Sequence, residues 1–324
     1  QDTSPWFRIT RAALRQHLAD LADAPDVIRK NIHTQEDMAA LIVKCRGIWR
    51  ELSMGKLSNH FVQAVVMKLT PLARGHPICD EIMKKLEALA THPFATFVVQ
   101  ILVQPGVIID DGRGTTTVTE ELKSAFRGRW VRLSCERVGN CVLQHFLERF
   151  AAEKETERNA FVDELLAEFE EYGIVEMSRH QHGNHVLGKV VDVATESQRN
   201  RLVSMLRSDW QRLAEDGKAC HVLQRLLKAC NNSLATSFLE ELSASEISKM
   251  ITRPTMSFTL QILFEKADDK IVSPAIDSFF KTNDCPALAQ TQLGSHVLQR
   301  IVARSNSDQL SELARIMRGK WVEL

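Results

Sequence analysis

One arrangement of apolar and polar positions recurs seven times along the chain. Each copy begins with a short residue, here called the anchor, and continues with one spacer, two apolar residues, a polar pair and two further apolar residues. At 100° per residue the four apolar positions fall on one side of a helix, so the pattern predicts an amphipathic α-helix rather than a strand. The anchors are Asn59, Thr96, Asn140, Asn184, Cys220, Ser257 and Ser295, in steps of 37, 44, 44, 36, 37 and 38 residues.

A second mark lies ten residues before each anchor, where a large apolar residue is followed three positions later by Leu or Met. Further helical stretches follow the anchor segments, for example at 200–207 and 308–319. A unit of this size cannot bury its apolar stripe alone, so neighbouring units must stack into an all-α solenoid, with the tryptophans of the marks in the core. The marks are Trp49/Leu52, Leu86/Leu89, Trp130/Leu133, Ile174/Met177, Trp210/Leu213, Ile247/Met250 and Cys285/Leu288, and Trp321/Leu324 begins an eighth.

The repeat defines the expected domain organisation. We predict an N-terminal helical cap or degenerate repeat over 1–40, and at least seven repeats over 41–324, with a further repeat beginning near 320. Two insertions lengthen the spacing: 105–119 is expected to be a surface loop, and the charged stretch 151–159 to extend a helix or link. The acidic run 164–171 is interpreted as a solvated helix face.

Composition narrows the partners. Lys and Arg number 41, as do Asp and Glu, so any nucleic-acid contact must rest on a local surface rather than on net charge. The seven cysteines include no Cys-x-x-Cys pair, which is typical of a reducing, intracellular environment rather than of a disulfide framework. The sequence contains no run of eighteen apolar residues, so it predicts no membrane span. The chain begins at Gln1, from which we expect a fragment or a trimmed chain.

The polar positions of the recurring helix carry the candidate chemistry. Four residues after the anchor comes a Gln in six of seven repeats, on the same helix face, and a ring usually follows the anchor directly. Amides carry donors and acceptors that suit a base edge, and rings stack on bases. We expect each repeat to expose all three positions. The triplets are Asn59/His60/Gln63, Thr96/Phe97/Gln100, Asn140/Cys141/Gln144, Asn184/His185/Gly188, Cys220/His221/Gln224, Ser257/Phe258/Gln261 and Ser295/His296/Gln299.

With these triplets the sequence resembles the Pumilio (PUF) family over roughly residues 34–324. The segments IVEMSRHQHGNHVL at 174–187 and VGNCVLQHFLE at 138–148 are especially similar to that family's repeat. The resemblance implies a right-handed α-solenoid superhelix of three-helix repeats, whose second helices line a concave face. In that family two edge-reading residues and one stacking residue contact each base, and the RNA runs antiparallel to the protein.

The same resemblance implies a base for several repeats. Asn/Gln pairs at 59/63 and 140/144 favour uracil, and the pairs at 220/224, 257/261 and 295/299 favour adenine, giving 5′-A-A-A-x-U-x-U-3′. Three positions depart from the family pattern: Gly188 replaces the Gln, Thr96 is an unusual edge reader, and Cys141 is a poor stacking residue. The fourth repeat is therefore expected to read its base weakly or not at all.

Other chemistries are less consistent with the sequence. His180, His182 and His185 lack carboxylate or thiolate partners at ligand spacing, so we predict no metal site. Cys220 and His221 point about 100° apart around a helix, which argues against a nucleophilic dyad. No strand is expected before the run DGRGT, and no Gly-Lys-Ser/Thr follows it, so we predict no P-loop. We therefore expect neither an enzyme nor a bound cofactor.

The sequence thus predicts selective binding of single-stranded RNA, in post-transcriptional regulation of mRNA or in RNA processing. One alternative is a structural scaffold in a ribonucleoprotein or ribosome-assembly particle, with ribonucleoprotein proteins as partners. A HEAT- or armadillo-like protein-binding solenoid is another. We expect a monomer that does not contact membranes, in the nucleus, the nucleolus or the cytoplasm.

Overall fold

Groups of three helices follow one another along the chain. The structure, a computed structural model, describes residues 35–69, 72–73, 77–103, 108–110, 115–151 and 155–319. After α1 (Gln35–Cys45), the first group has a short helix, α2 (Trp49–Met54), a second helix that carries the anchor, α3 (Ser58–Lys68), and a third helix, α4 (Pro77–Met83). The cap or degenerate repeat predicted for 1–40 lies mostly outside the described residues, and the Trp321/Leu324 mark lies wholly outside them.

The same three-helix order holds for the rest of the described chain. The second and third groups are α5 (Leu86–Ala90), α6 (Ala95–Leu102), α7 (Val118–Phe126), α8 (Trp130–Cys135), α9 (Gly139–Ala151) and α10 (Glu155–Tyr172). The fourth and fifth are α11 (Ile174–Arg179), α12 (Gly183–Val193), α13 (Glu196–Leu206), a 3₁₀ turn (Arg207–Asp209), α14 (Trp210–Glu215), α15 (Ala219–Ala229) and α16 (Asn232–Glu240). The last two are α17 (Ala244–Ile251), α18 (Pro254–Lys266), α19 (Asp269–Thr282), α20 (Cys285–Ala289), α21 (Gln292–Arg304) and α22 (Ser307–Met317).

The apolar quartets of the second helices form the core, as their periodicity predicts, except that Val302 on the last second helix is 40% exposed. On α9, for example, Val142, Leu143, Phe146 and Leu147 are all buried. Trp49, Trp130 and Trp210 of the marks are buried as well, and Trp210 stacks on Phe238 of α16 with ring centroids 4.5 Å apart. The all-α solenoid of three-helix repeats predicted from the sequence is confirmed.

The chain divides into two compact units, with the boundary after Glu168 inside α10. Repeats one to three belong to the first unit and repeats four to seven to the second. Within each unit the second helices of consecutive repeats pack side by side: α3 on α6 and α6 on α9, then α12 on α15, α15 on α18 and α18 on α21. No helix in the described ranges has the length and apolarity needed to cross a bilayer.

The insertion at 105–119 differs from the predicted loop. Its described residues form two antiparallel strands, β2 (Ile108–Asp110) and β3 (Thr115–Thr117), and β2 also pairs in parallel with β1 (Leu72–Ala73). A strand therefore does precede the DGRGT run. The apolar run ahead of Asp110 is long enough for a strand that finds partners on both sides. At 151–159, α9 ends and the charged residues from Glu155 begin the long helix α10, as expected of a helix extension.

The acidic run 164–171 is not simply a solvated face, which corrects the sequence interpretation. Both carboxylate oxygens of Glu168 accept backbone N–H groups at the start of α8, from Gly128 and from Trp130, each at 2.8 Å. Glu164 accepts the indole N–H of Trp130, also at 2.8 Å. Burial raises the pKa of the Glu168 carboxyl, although these backbone N–H groups act against the rise. These acids hold the N-terminus of a helix in place.

Candidate nucleic-acid interface

The same backbone geometry places the anchor in all seven repeats. The anchor N–H donates to the carbonyl four residues earlier, at the end of the short first helix or in the turn after it, with N–O distances of 2.8–3.2 Å. This bond fixes how the second helix leaves the first. Because it recurs at every predicted anchor, the register read from the sequence matches the structure.

The anchor side chains are buried, contrary to the expectation that each repeat exposes them. Only Ser295 is partly accessible; Asn59, Thr96, Asn140, Asn184, Cys220 and Ser257 are buried. In the Asn repeats the reason is a network with the preceding helix. Asn140 Nδ2 donates to the carbonyls of Glu136 and Arg137, each at 2.8 Å, so the amide satisfies two carbonyls at a helix end.

The anchors also orient the glutamines. Gln63 Nε2 donates to Asn59 Oδ1 at 2.7 Å, and Gln144 Nε2 donates to Asn140 Oδ1 at 2.9 Å. Where the anchor is Thr96 or Ser257 the corresponding bond is longer. Gln100 Nε2 to Thr96 Oγ1 and Gln261 Nε2 to Ser257 Oγ both measure 3.3 Å.

Two glutamines have different surroundings. Gln224 Nε2 donates to the carbonyl of Thr255 at 3.2 Å and to Thr259 Oγ1 at 3.3 Å, both on α18 of the following repeat. Gln299 is exposed, and its anchor hydroxyl, Ser295 Oγ, donates to the carbonyl of Gln292 at 3.0 Å. The three predicted adenine readers therefore present their amides in three different ways.

The predicted stacking positions lie at the surface. His60, Cys141, His185 and His221 are exposed and His296 is half-buried. Phe97 is 47% exposed and Phe258 50%, and the other phenylalanines whose side chains the structure describes are buried or half-buried. A ring one position from a buried anchor is thus left on the surface of the second helices, where a flat ligand can stack on it.

The fourth repeat holds a side chain that the sequence reading missed. A Cβ placed on Gly188 would lie only 3.2 Å from Cδ and Nη1 of Arg225, which comes from α15 of the fifth repeat. Arg225 Nη1 also donates to Asp192 Oδ2 at 2.7 Å. A cavity of about 370 Å³ opens here, lined by Asn184, His185, Gly188, His221, Gln224, Arg225 and Lys228. The sequence did contain a signal for this: the fourth repeat has Gly188 in place of the Gln, and in the fifth repeat Arg225 directly follows Gln224.

One of the three histidines that suggest a metal site, His180, has a structural role. His180 Nδ1 accepts the backbone N–H groups of His182 and Gly183, at 3.2 and 3.1 Å, at the start of α12. Asp216 does the same for α15, where Oδ1 accepts from Lys218 at 2.9 Å and Ala219 at 3.0 Å. Among the described residues, no three His, Cys, Asp or Glu side chains gather as a metal would require.

The surroundings of Cys220 do not activate its thiol. Cys220 is buried whereas His221 points to solvent, which matches their predicted divergence around the helix. Burial, followed by the charge of Asp216, raises the pKa of the Cys220 thiol. A thiolate nucleophile is therefore disfavoured at this position.

Two family descriptions match the chain. The NOP9-like PUF repeat domain matches residues 115–268, and the Pumilio-family RNA binding repeat matches residues 284–315. Together they cover more than half of the 324 residues. The comparison with curated proteins gave no match.

Solved structures of Pumilio domains share the fold. PUF-8 in complex with PBE-RNA superposes with a TM-score of 0.72 at 14% identity, covering 96% of this chain and 89% of that one. The Puf3 RNA binding domain bound to a Cox17 RNA site gives 0.69 at 19% identity, with 85% and 74% covered. Yeast Puf5p bound to SMX2 RNA gives 0.65 at 16% identity, with 98% and 91% covered. With the family matches and the recurring three-helix repeat, the chain is a divergent member of the Pumilio family of RNA-binding repeat proteins.

Proposed function

We propose that this protein binds single-stranded RNA on the surface of its second helices, one base per repeat, in post-transcriptional regulation of mRNA or in RNA processing. The observation that carries the proposal is the exposure of rings at a single register position. Phe97 and Phe258 are about half exposed, while the apolar quartets of the same helices are buried. Leaving a phenyl ring in water is unfavourable, and stacking on a base would remove that exposed area.

The glutamines supply edge contacts beside the rings. In repeats one and three, one N–H of the Gln amide is held by the anchor, which leaves the other N–H and Oε1 for a ligand. A donor and an acceptor side by side are complementary to the mixed edge of a base. The solved Pumilio domains bound to RNA, among them PUF-8 and Puf3, give independent support through the shared fold.

A second candidate is RNA binding inside a ribonucleoprotein or ribosome-assembly particle, in the nucleus or nucleolus. The match to the NOP9-like PUF repeat domain over residues 115–268 is compatible with it. The lengthened third repeat and the strand pair at 108–117 give the chain surfaces besides the second helices. In that setting RNA shape would matter more than base identity.

The test is selection of bound RNA from a random single-stranded pool at near-physiological salt. Wild type is compared with Gln144→Ala/Gln261→Ala, and with Gln211→Ala as a control, because Gln211 is also half-buried but lies on a first helix. We expect an adenine-leading, uracil-containing motif that blurs in the double variant at two positions only. Each lost contact should reduce affinity about tenfold, on the scale of a good base-edge contact. Binding without a motif would favour the second candidate, and absence of RNA binding would contradict both.

A further inference from the structure

The space between the stacking residues of the fourth and fifth repeats differs from the others. It lies between His185 on α12 and His221 on α15, and we call it the fourth slot. Where six repeats carry a Gln, α12 carries Gly188, and the guanidinium of Arg225 lies close to that position. No glutamine here donates to Asn184 Oδ1, whose amide nitrogen is held by the carbonyls of His180 and Gln181. The slot thus has an arginine in place of the usual amide.

The glycine and the arginine depend on each other sterically. A Cβ at position 188 would already lie 3.2 Å from Cδ and Nη1 of Arg225, so a longer side chain there would require the Arg225 side chain to shift. The Arg225 side chain therefore occupies space that a Gln at position 188 would also need. Asp192, one turn after Gly188, completes the arrangement by accepting from Nη1 at 2.7 Å.

The arginine is held yet still accessible. Asp192 takes a bond from one of its nitrogens, and 45% of the Arg225 side chain is exposed, so donors remain for a ligand. Lys228 on the same helix lines the cavity and adds a second positive charge. The rings of His185 and His221 flank about 370 Å³ of open space. These are the parts that a stacked base with a polar edge requires.

We propose that the fourth slot reads an RNA base through Arg225, and that it selects a base with two adjacent hydrogen-bond acceptors. This rests on the proposed RNA-binding function and replaces the expectation that the fourth repeat reads weakly or not at all. A guanidinium only donates, so it pairs best with two neighbouring acceptors. Guanine offers O6 and N7, and cytosine offers N3 and O2. Adenine and uracil alternate donors with acceptors along their edges, so a donor pair fits them less well.

The seventh repeat provides a matched control. Arg300 occupies the position equivalent to Arg225, and its Nε lies 3.9 Å from Glu265 Oε2, the equivalent of Asp192. The two arginines are similarly exposed, at 45% and 51%. The difference is that the sixth repeat retains Gln261 where the fourth has Gly188. Changing Arg300 therefore removes the same charge from a slot that has its glutamine.

The experiment measures affinity for four RNA oligonucleotides, 5′-A-A-A-N-U-U-U-3′ with each base at N, and for a fifth with 7-deazaguanine. We expect wild type to prefer guanine or cytosine over adenine and uracil by about tenfold or more. Loss of affinity with 7-deazaguanine would identify guanine read at N7. Tightest binding of the cytosine oligonucleotide would instead identify cytosine read at N3 and O2. Arg225→Lys keeps the charge but lacks the paired donors, so it should lose this preference, and Arg300→Lys should keep it.

A second variant tests the slot from the opposite side. Gly188→Gln should displace Arg225 and remove the preference for guanine or cytosine, with circular dichroism reporting that the helices remain. Arg225→Ala weakening all four oligonucleotides equally would mean a phosphate contact and would overturn the inference. A preference for adenine or uracil at N would also overturn the inference, provided that RNA is still bound. A preference for guanine or cytosine that survives Arg225→Lys would do the same. If wild type binds no RNA at all, the proposed function fails along with it.

Discussion

Replacing Asn140 with alanine should destabilise the fold by about 2–3 kcal/mol. Three hydrogen bonds end on this side chain: two from Nδ2 to the carbonyls of Glu136 and Arg137, and one from Gln144 to Oδ1. The side chain is 4% exposed, so water replaces these partners poorly. At about 1 kcal/mol net for each bond, the sum gives the predicted loss. Asn140→Asp should be worse than alanine, because an oxygen would then face two carbonyl oxygens.

The assay is urea unfolding followed by far-ultraviolet circular dichroism, with Gln144→Ala as the matched control. Gln144 is half-buried and shares one of the three bonds, so its loss should lower the unfolding free energy by less than about 1 kcal/mol. Binding should respond in the opposite order, with Gln144→Ala losing base preference while its stability is nearly unchanged. An Asn140→Ala variant within about 0.5 kcal/mol of wild type would refute the structural role. Equal destabilisation by the two variants would refute the division of roles.

Three further predictions concern stability, pH and thiol reactivity. Trp130→Phe should lower the unfolding free energy in urea by about 1–2 kcal/mol more than Trp49→Phe. The Trp130 indole donates to Glu164 at 2.8 Å, whereas the buried Trp49 indole N–H meets no acceptor among the described residues. Equal losses would contradict this. Burial acts to raise the pKa of Asp216, but the N–H groups of Ala219 and Lys218 and the Arg179 guanidinium outweigh it and hold the pKa below its ordinary 3.8. The stability that this carboxylate adds is present above that value and is lost as pH falls through the lower folded-state pKa. The thermal unfolding temperature of wild type should therefore exceed that of Asp216→Asn near neutral pH and converge with it in acid. A constant gap would contradict the assignment. Burial, with the charge of Asp284, raises the pKa of the Cys285 thiol to about 11. Alkylation at about pH 8, followed by mass spectrometry, should therefore modify the exposed Cys141 and spare Cys285, and bound RNA should protect Cys141. Early labelling of Cys285 would contradict the burial.

Local spacing in the sequence was sufficient to predict the repeats. Apolar residues at helical intervals determine which face is buried, and the mark ten residues earlier falls on a short helix in each of the seven repeats. Both signals depend on neighbours within one turn of helix, so they can be read without the tertiary structure. The position of each ring depends on the same local geometry, since it lies beside the anchor on the surface side.

The features that could not be predicted from the sequence depend on partners that are distant in the chain. The N–H groups that Glu168 caps lie about 40 residues earlier, so an acidic run on a helix looked merely solvated. A second helix considered alone, as an isolated cylinder, would expose Asn140. In the structure the preceding short helix ends at Cys135, and the carbonyls of Glu136 and Arg137 just after it accept from the Asn140 amide. The strand at Ile108–Asp110 depends likewise on Leu72–Ala73, more than thirty residues away.

The burial of the anchors changes how base choice should be understood in this protein. An asparagine whose Nδ2 is committed to two carbonyls can influence a base mainly through the glutamine that it orients. The distance from glutamine to anchor is 2.7–2.9 Å for Asn59 and Asn140 and 3.3 Å for Thr96 and Ser257. The glutamine beside Cys220 turns to Thr255 instead. Each anchor thus sets which donors and acceptors its glutamine can offer. In the fourth repeat the glutamine is absent, and by the same reasoning Arg225, oriented by Asp192, is the group left to face the base.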